Sequence, residues 1–113
     1  MTNEEILEQD PKFFDRADAH IHLSNSQIEG VNHGKVSASM MYATARFNAY
    51  VCWSGFDDMA AFTEAREEAI DYFVEQFRMM LAENLDDYIS NFERYRQTPG
   101  GTHRMMPRDP FSR

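Results

Sequence analysis

Between Phe56 and Thr98 the chain contains neither Gly nor Pro, and its apolar residues recur at helical spacing throughout. Met59, Phe62, Ile70, Phe73, Val74, Phe77, Met80, Leu81, Leu85, Tyr88, Phe92 and Tyr95 fall on one side when residues are placed about 100° apart. The pattern predicts one long amphipathic helix, continuous from about Asp58 to Arg96, with Asn84 as the only weak helix former near its middle. At about 1.5 Å per residue, roughly 40 residues span roughly 60 Å. A compact domain of this size measures only roughly 35 Å across. The helix outruns a compact monomer, so the dominant feature of the sequence speaks of association rather than of chemistry.

Two shorter helices precede it. Asp10-Pro11 supplies an N-cap carboxylate followed by proline at the first helical position, and Gly30 supplies a stop, which predicts a helix over about Pro11 to Glu29. After the loop Gly30 to Gly34, a second helix runs from about Lys35 to Trp53 and ends at Gly55. Asp57 or Asp58 then caps the long helix, whose last turns carry Arg94 and Arg96, where the macrodipole favours positive charge. Thr2-x-x-Glu5 is a capping box for a short turn, but so short a helix is marginal in water, and residues 1–10 read as a mobile arm. Residues 98–113 are rich in Gly, Pro and Arg without period and read as a disordered, weakly basic tail. The fold class expected is therefore all-α: a three-helix antiparallel bundle over residues 11–97 with one long C-terminal helix.

The second helix has two apolar faces. Val36, Met40, Ala43, Phe47, Tyr50 and Val51 form one; Ala38, Met41, Tyr42, Ala45, Ala49 and Cys52 form the other. Narrow polar strips, Ser37-Thr44-Asn48 and Lys35-Ser39-Arg46, separate them, so the helix is expected in the middle of the bundle with its polar groups hydrogen-bonded. The first helix shows an apolar face of Phe13, Phe14, Ala17, Ile21 and Ile28, edged by Asp18, His22, Asn25 and Glu29. That polar row is mostly acceptors, and Arg46 is the donor expected to meet it, at least partly buried. Asp18, His22, Asn25, Arg46 and Asn48 are accordingly the candidate ligand-binding cluster, suited to an anionic small molecule.

Composition narrows the remaining classes. A chain of 113 residues builds one core and is too short for a barrel enzyme. Its net charge of -8 and pI near 4.8 repel phosphate backbones and anionic lipid, so neither nucleic acid nor a membrane surface is the expected partner. The single cysteine, Cys52, sits in an apolar helical run and reads as a buried thiol in a reducing cytoplasm. The N-terminus has neither a basic nor an apolar leader region, and no run approaches the roughly 20 apolar residues of a membrane span.

No catalytic signature survives inspection. Asp18-Ala19-His20-Ile21-His22 looks like the Asp-x-His-x-His metal motif of the amidohydrolase superfamily, in which two histidines point the same way from a strand. On a helix, residues two apart sit about 200° apart, so His20 and His22 cannot chelate one ion. The barrel that carries the motif also needs about 250 residues. His33 and His103 have no Glu-x-x-His or Cys-x-x-Cys spacing near them, so neither a metal nor another cofactor is expected. There is no Gly-rich phosphate loop and no nucleophile elbow, and the carboxylates of the long helix read as a solvated acidic face.

The string from Val36 to Tyr50, VSASMMYATARFNAY, together with Phe14-x-x-Ala17-Asp18 and Leu23-Ser24-Asn25, resembles a family of small bacterial proteins known only as domain-of-unknown-function family 3144. The resemblance runs from about Pro11 to Tyr95. It implies a compact bacterial cytosolic protein, supplies no activity or ligand, and carries over no site residues. The reading is thus a non-enzymatic helical protein that self-associates and binds a protein partner, with a small-molecule binder or enzyme at the Asp18–Arg46 cluster as the alternative. Helices of about 19 residues cover only about half of the long one. The stripe from Leu81 to Tyr95 then lacks a lid within the chain, and homodimerisation is the expected cover. Interface residues are Leu81, Leu85, Tyr88, Phe92 and Tyr95, with Tyr72 and Met79 on an outer seven-residue row.

Overall fold

A computed structural model describes residues 3–98. All regular structure among them is helical: α1 (Asn3–Gln9), α2 (Phe13–Gln27), α3 (His33–Ser54), α4 (Met59–Glu64), α5 (Arg66–Ser90) and α6 (Phe92–Gln97). The tail expected from residue 99 onward lies outside the described residues. The segment expected as an N-terminal arm is the helix α1, with Glu4 and Glu5 in its first turn, where carboxylates suit the macrodipole.

Helix starts follow local hydrogen bonds that the sequence shows only in part. Asp10 does not cap α2 from its side chain. Its carboxylate is taken by Arg16, its carbonyl accepts from Phe13 N at 3.1 Å, and Pro11 and Lys12 form a turn, so the helix begins two residues later than expected. By contrast α3 starts at His33, ahead of Lys35. Asn32 Oδ1 accepts from Lys35 N at 2.9 Å, making Asn32 the N-cap. Asp58 caps α4, its backbone extended and its Oδ1 accepting from Ala61 N at 2.8 Å. The Phe56 ring packs on Phe62 with centroids 5.5 Å apart and fixes the entry of the chain into that helix.

The long helix is realised with two one-residue interruptions. Glu83 to Asp86 lie inside α5, where the Asn84 side chain donates to Met80 O at 2.8 Å. At Ala65 the backbone N–H is shared between Ala61 O and Phe62 O, both at 3.1 Å, tightening one turn before Ala69 N resumes the ladder on Ala65 O at 2.9 Å. At Asn91 the side chain donates to both Asp87 O and Asp87 Oδ1 at 3.0 Å, a local bond that competes with helical backbone geometry, and φ falls to -120°.

After α2, Val31 N bonds Ile28 O at 3.2 Å and closes a turn in which Gly30 takes φ 87°, the left-handed region. A Cβ added there meets nothing within 4 Å, so substitution costs backbone strain alone. Gly30→Ala is expected to destabilise the protein by about 1–2 kcal/mol, read as a shift in the denaturant midpoint without loss of helical signal.

The described residues divide into two compact units, Ala38–Arg94 and, flanking it in sequence, residues 3–37 with 95–98. In the first of these the helical ladder runs from α4 through Ala65 into α5. The second predicted helix was expected to be buried on both faces, and its faces are largely exposed among the described residues. Val36 at 9% exposure is the one buried hydrophobic side chain among the described residues, and both faces of α3 beyond it are largely exposed. Hydroxyls of α3 find partners on their own helix: Thr44 Oγ1, from one polar strip, donates to Met40 O at 2.9 Å, and Ser54 Oγ, at the helix end, to Val51 O at 2.7 Å. Alternation of polar and apolar residues reports which side chains share a face, and a face can be apolar without a neighbour in the same chain to cover it.

Candidate functional site

Two helical faces dominate the surface of residues 38–94. On α3, Phe47, Tyr50 and Trp53 are 64%, 57% and 60% exposed, and their rings form a ladder with centroids 5.9 Å and 6.1 Å apart. Helical spacing of three brings these rings together, and each keeps more than half of its surface accessible. On α5, Ile70, Val74, Phe77, Leu81 and Leu85 are all exposed along one edge of the apolar stripe. Of the residues expected at an interface, Tyr72, Met79, Leu81, Leu85 and Phe92 are exposed, and Tyr88 and Tyr95 are half-buried. Ile70, Val74 and Phe77 on the long apolar stripe and Phe47 and Tyr50 on α3 were not among the expected interface residues; the structure adds them, with Trp53, to the accessible apolar surface. The signal that could have found them is the shared spacing, four-three-four, of Ala43, Phe47, Tyr50 and Ser54 on α3 and of Ile70, Val74, Phe77 and Leu81 on α5, which is that of a coiled-coil seam.

The two helices differ in charge. α3 carries Lys35 and Arg46 and no Asp or Glu. α5 carries Glu67, Glu68, Asp71, Glu75, Glu83, Asp86 and Asp87 against Arg66 and Arg78. Potentials of opposite sign on two apolar faces favour their meeting and set which face meets which.

The candidate polar cluster is distributed between the units: Asp18, His22 and Asn25 stand on α2, Arg46 and Asn48 on α3 within Ala38–Arg94. Arg46, expected at least partly buried, is exposed, as is His22; Asp18, Asn25 and Asn48 are half-buried. Asp18 Oδ1 is shielded from solvent and has no hydrogen-bond partner. A desolvated acceptor calls for a donor or a cation, the reverse of what an anionic ligand supplies. His20 and His22 lie on α2, as the helical reading required. Among the described residues no group of three or more His, Cys, Asp or Glu side chains could hold a metal ion, and no helix is long and apolar enough to cross a membrane. Cys52 is half-buried rather than buried.

A family model described as "Protein of unknown function (DUF3144)" matches residues 13–89. Among solved structures, the chain is similar to the NMR structure of the protein NB7890A from Shewanella sp, with 37% sequence identity and a TM-score of 0.65 over 74% of this chain and 90% of that one. No curated protein matches.

Proposed function

The chain belongs to the DUF3144 family, and we propose that it is a non-enzymatic cytoplasmic helical protein that pairs with a second copy of itself through α3 and α5. Pairing completes the antiparallel helical bundle, and the apolar surface left outside the pair serves a protein partner. What carries this reading is the exposure of the large side chains on both helices beside a single buried hydrophobic residue, Val36, among those described. Each aromatic or aliphatic side chain left in water forfeits about 1.5–3 kcal/mol of burial. Domains hold together by only about 5–15 kcal/mol in all, so even a few such side chains decide whether the chain is stable alone. Symmetric pairing of identical chains is the commonest way to cover a surface of this kind.

Tyr, Trp and Phe, which α3 carries together with Arg46, are among the residue types that dominate binding energy where proteins meet. The acidic balance of the chain, -8, directs it toward a protein rather than a phosphate backbone. Light scattering at micromolar concentration tests the pairing. A mass of twice 13.2 kDa is expected, and a mass near 13.2 kDa would overturn it.

A further inference from the structure

We infer that two copies pair reciprocally, α3 of each lying antiparallel along α5 of the other, with Ala43 against Leu81, Phe47 against Phe77 and Tyr50 against Val74. This rests on the self-association proposed above and adds its orientation and register. Four observations lead to it.

The seams match in length and spacing. Ala43, Phe47, Tyr50 and Ser54 on one helix and Ile70, Val74, Phe77 and Leu81 on the other both step four-three-four. Run antiparallel, the two series meet position for position, each first-type seam residue against a second-type one, as knobs entering holes require. Their large members are exposed, so the faces are available.

The sizes complement. Small Ala43 opposes Leu81, the rings of Phe47 and Phe77 meet near the centre of the seam, and Tyr50 opposes the β-branched Val74. Layers that alternate small against large fill space without strain, and the central aromatic pair supplies the anchor.

Charge selects α3 with α5 over like with like. Two copies of α5 side by side would bring seven carboxylate positions against the same seven, while α3 has no carboxylate at all. Antiparallel placement also sets the Lys35 end of α3 against the Asp86-Asp87 end of α5 and opposes the two macrodipoles.

Finally, the large seam residues are left uncovered among the described residues: Phe47, Tyr50, Val74, Phe77 and Leu81 are all exposed. The turn between α3 and α4 is held by Asp58 and the Phe56–Phe62 contact, and the helical ladder runs on from α4 into α5 through Ala65.

Thiol crosslinking in a Cys52→Ser background reads the register directly. One chain carries Ala43→Cys, the other Leu81→Cys, and the two are refolded together and oxidised. A covalent two-chain product that needs both variants is expected, with no such product from either alone. Self-crosslinking of the Leu81→Cys chain would overturn the inference by placing α5 on α5. A chain carrying both substitutions that closes at the mass of one chain would overturn it in favour of a hairpin. Thr44→Cys with Arg78→Cys, both exposed and flanking the same layers, provides a second pair that leaves the seam intact. If the unsubstituted protein has the mass of two chains and neither pair crosslinks, the register is wrong while self-association stands. If it has the mass of one chain, both fail.

Discussion

Phe77→Asp is expected to leave the protein as single chains at micromolar concentration, with its thermal transition lowered or lost. The magnitude separates the two views of this residue. In the chain by itself Phe77 is 47% exposed, and a substitution at such a position is worth within about 0.5 kcal/mol when nothing covers it. Covered by a second copy, truncation of a Phe costs about 3–5 kcal/mol, and the carboxylate left in an apolar seam adds to that. Since about 1.4 kcal/mol is tenfold in affinity, dissociation should strengthen by about a hundredfold or more. Sedimentation velocity across a concentration series measures this. Met59→Asp is the control, because Met59 is 82% exposed and lies outside the seam, so its effect on mass should be nil. A Phe77→Asp chain that sediments as the unsubstituted protein does would mean that α5 is a solvent-facing helix.

Most of the helical content was legible because it is written in short-range signals. The absence of Gly and Pro from Phe56 to Thr98 gave α4 to α6, and Asp58 was readable as a cap because a carboxylate stands immediately before an apolar run. Asn32 was missed although its side chain accepts from Lys35 N; Gly34 two residues later suggested loop, yet glycine is tolerated in the first helical turn. The interruptions at Ala65 and Asn91 depend on how one N–H is shared and where one amide points, and no pattern of residue types encodes either. Tertiary placement was harder for a deeper reason. Periodicity says that Phe47 and Tyr50 share a face, or that Phe77 and Leu81 do, but burial depends on which face meets which, and that is fixed by spacing, size and charge on two helices jointly.

The candidate polar cluster meets the same limit. Asp18, His22 and Asn25 do form a row on α2, as their spacing requires, and Arg46 stands on α3, but the expectation that Arg46 would be partly buried presumed a packed neighbour. A surface cation is worth under about 1 kcal/mol to stability, whereas one partner of a buried pair is worth about 3–5 kcal/mol. An exposed Arg46 removes burial as an argument for that cluster, and the exposed apolar side chains are what support the pairing proposed above.

Val36→Asp should be the most damaging substitution in the first turns of α3, costing about 3 kcal/mol or more and lowering the urea midpoint, while Val36→Ala costs about 1–2 kcal/mol. Val36 is the one hydrophobic side chain among the described residues that is buried, so it is where removal of apolar volume cannot be absorbed by solvent. Aspartate there brings two opposing effects. A carboxylate near a helix N-terminus gains about 0.3–1 kcal/mol from the macrodipole, and Val36 lies in the second turn of α3, behind the Asn32 cap, where that gain is already fading. Desolvating the charge without a partner costs several times as much, so burial wins. The unfolding slope should stay the same while the midpoint falls, which marks a change in native-state stability rather than in the denatured ensemble. Were Val36→Asp to unfold at the same urea concentration as the parent, the residue would have to be on the surface, and the packing that buries it would contribute nothing to stability.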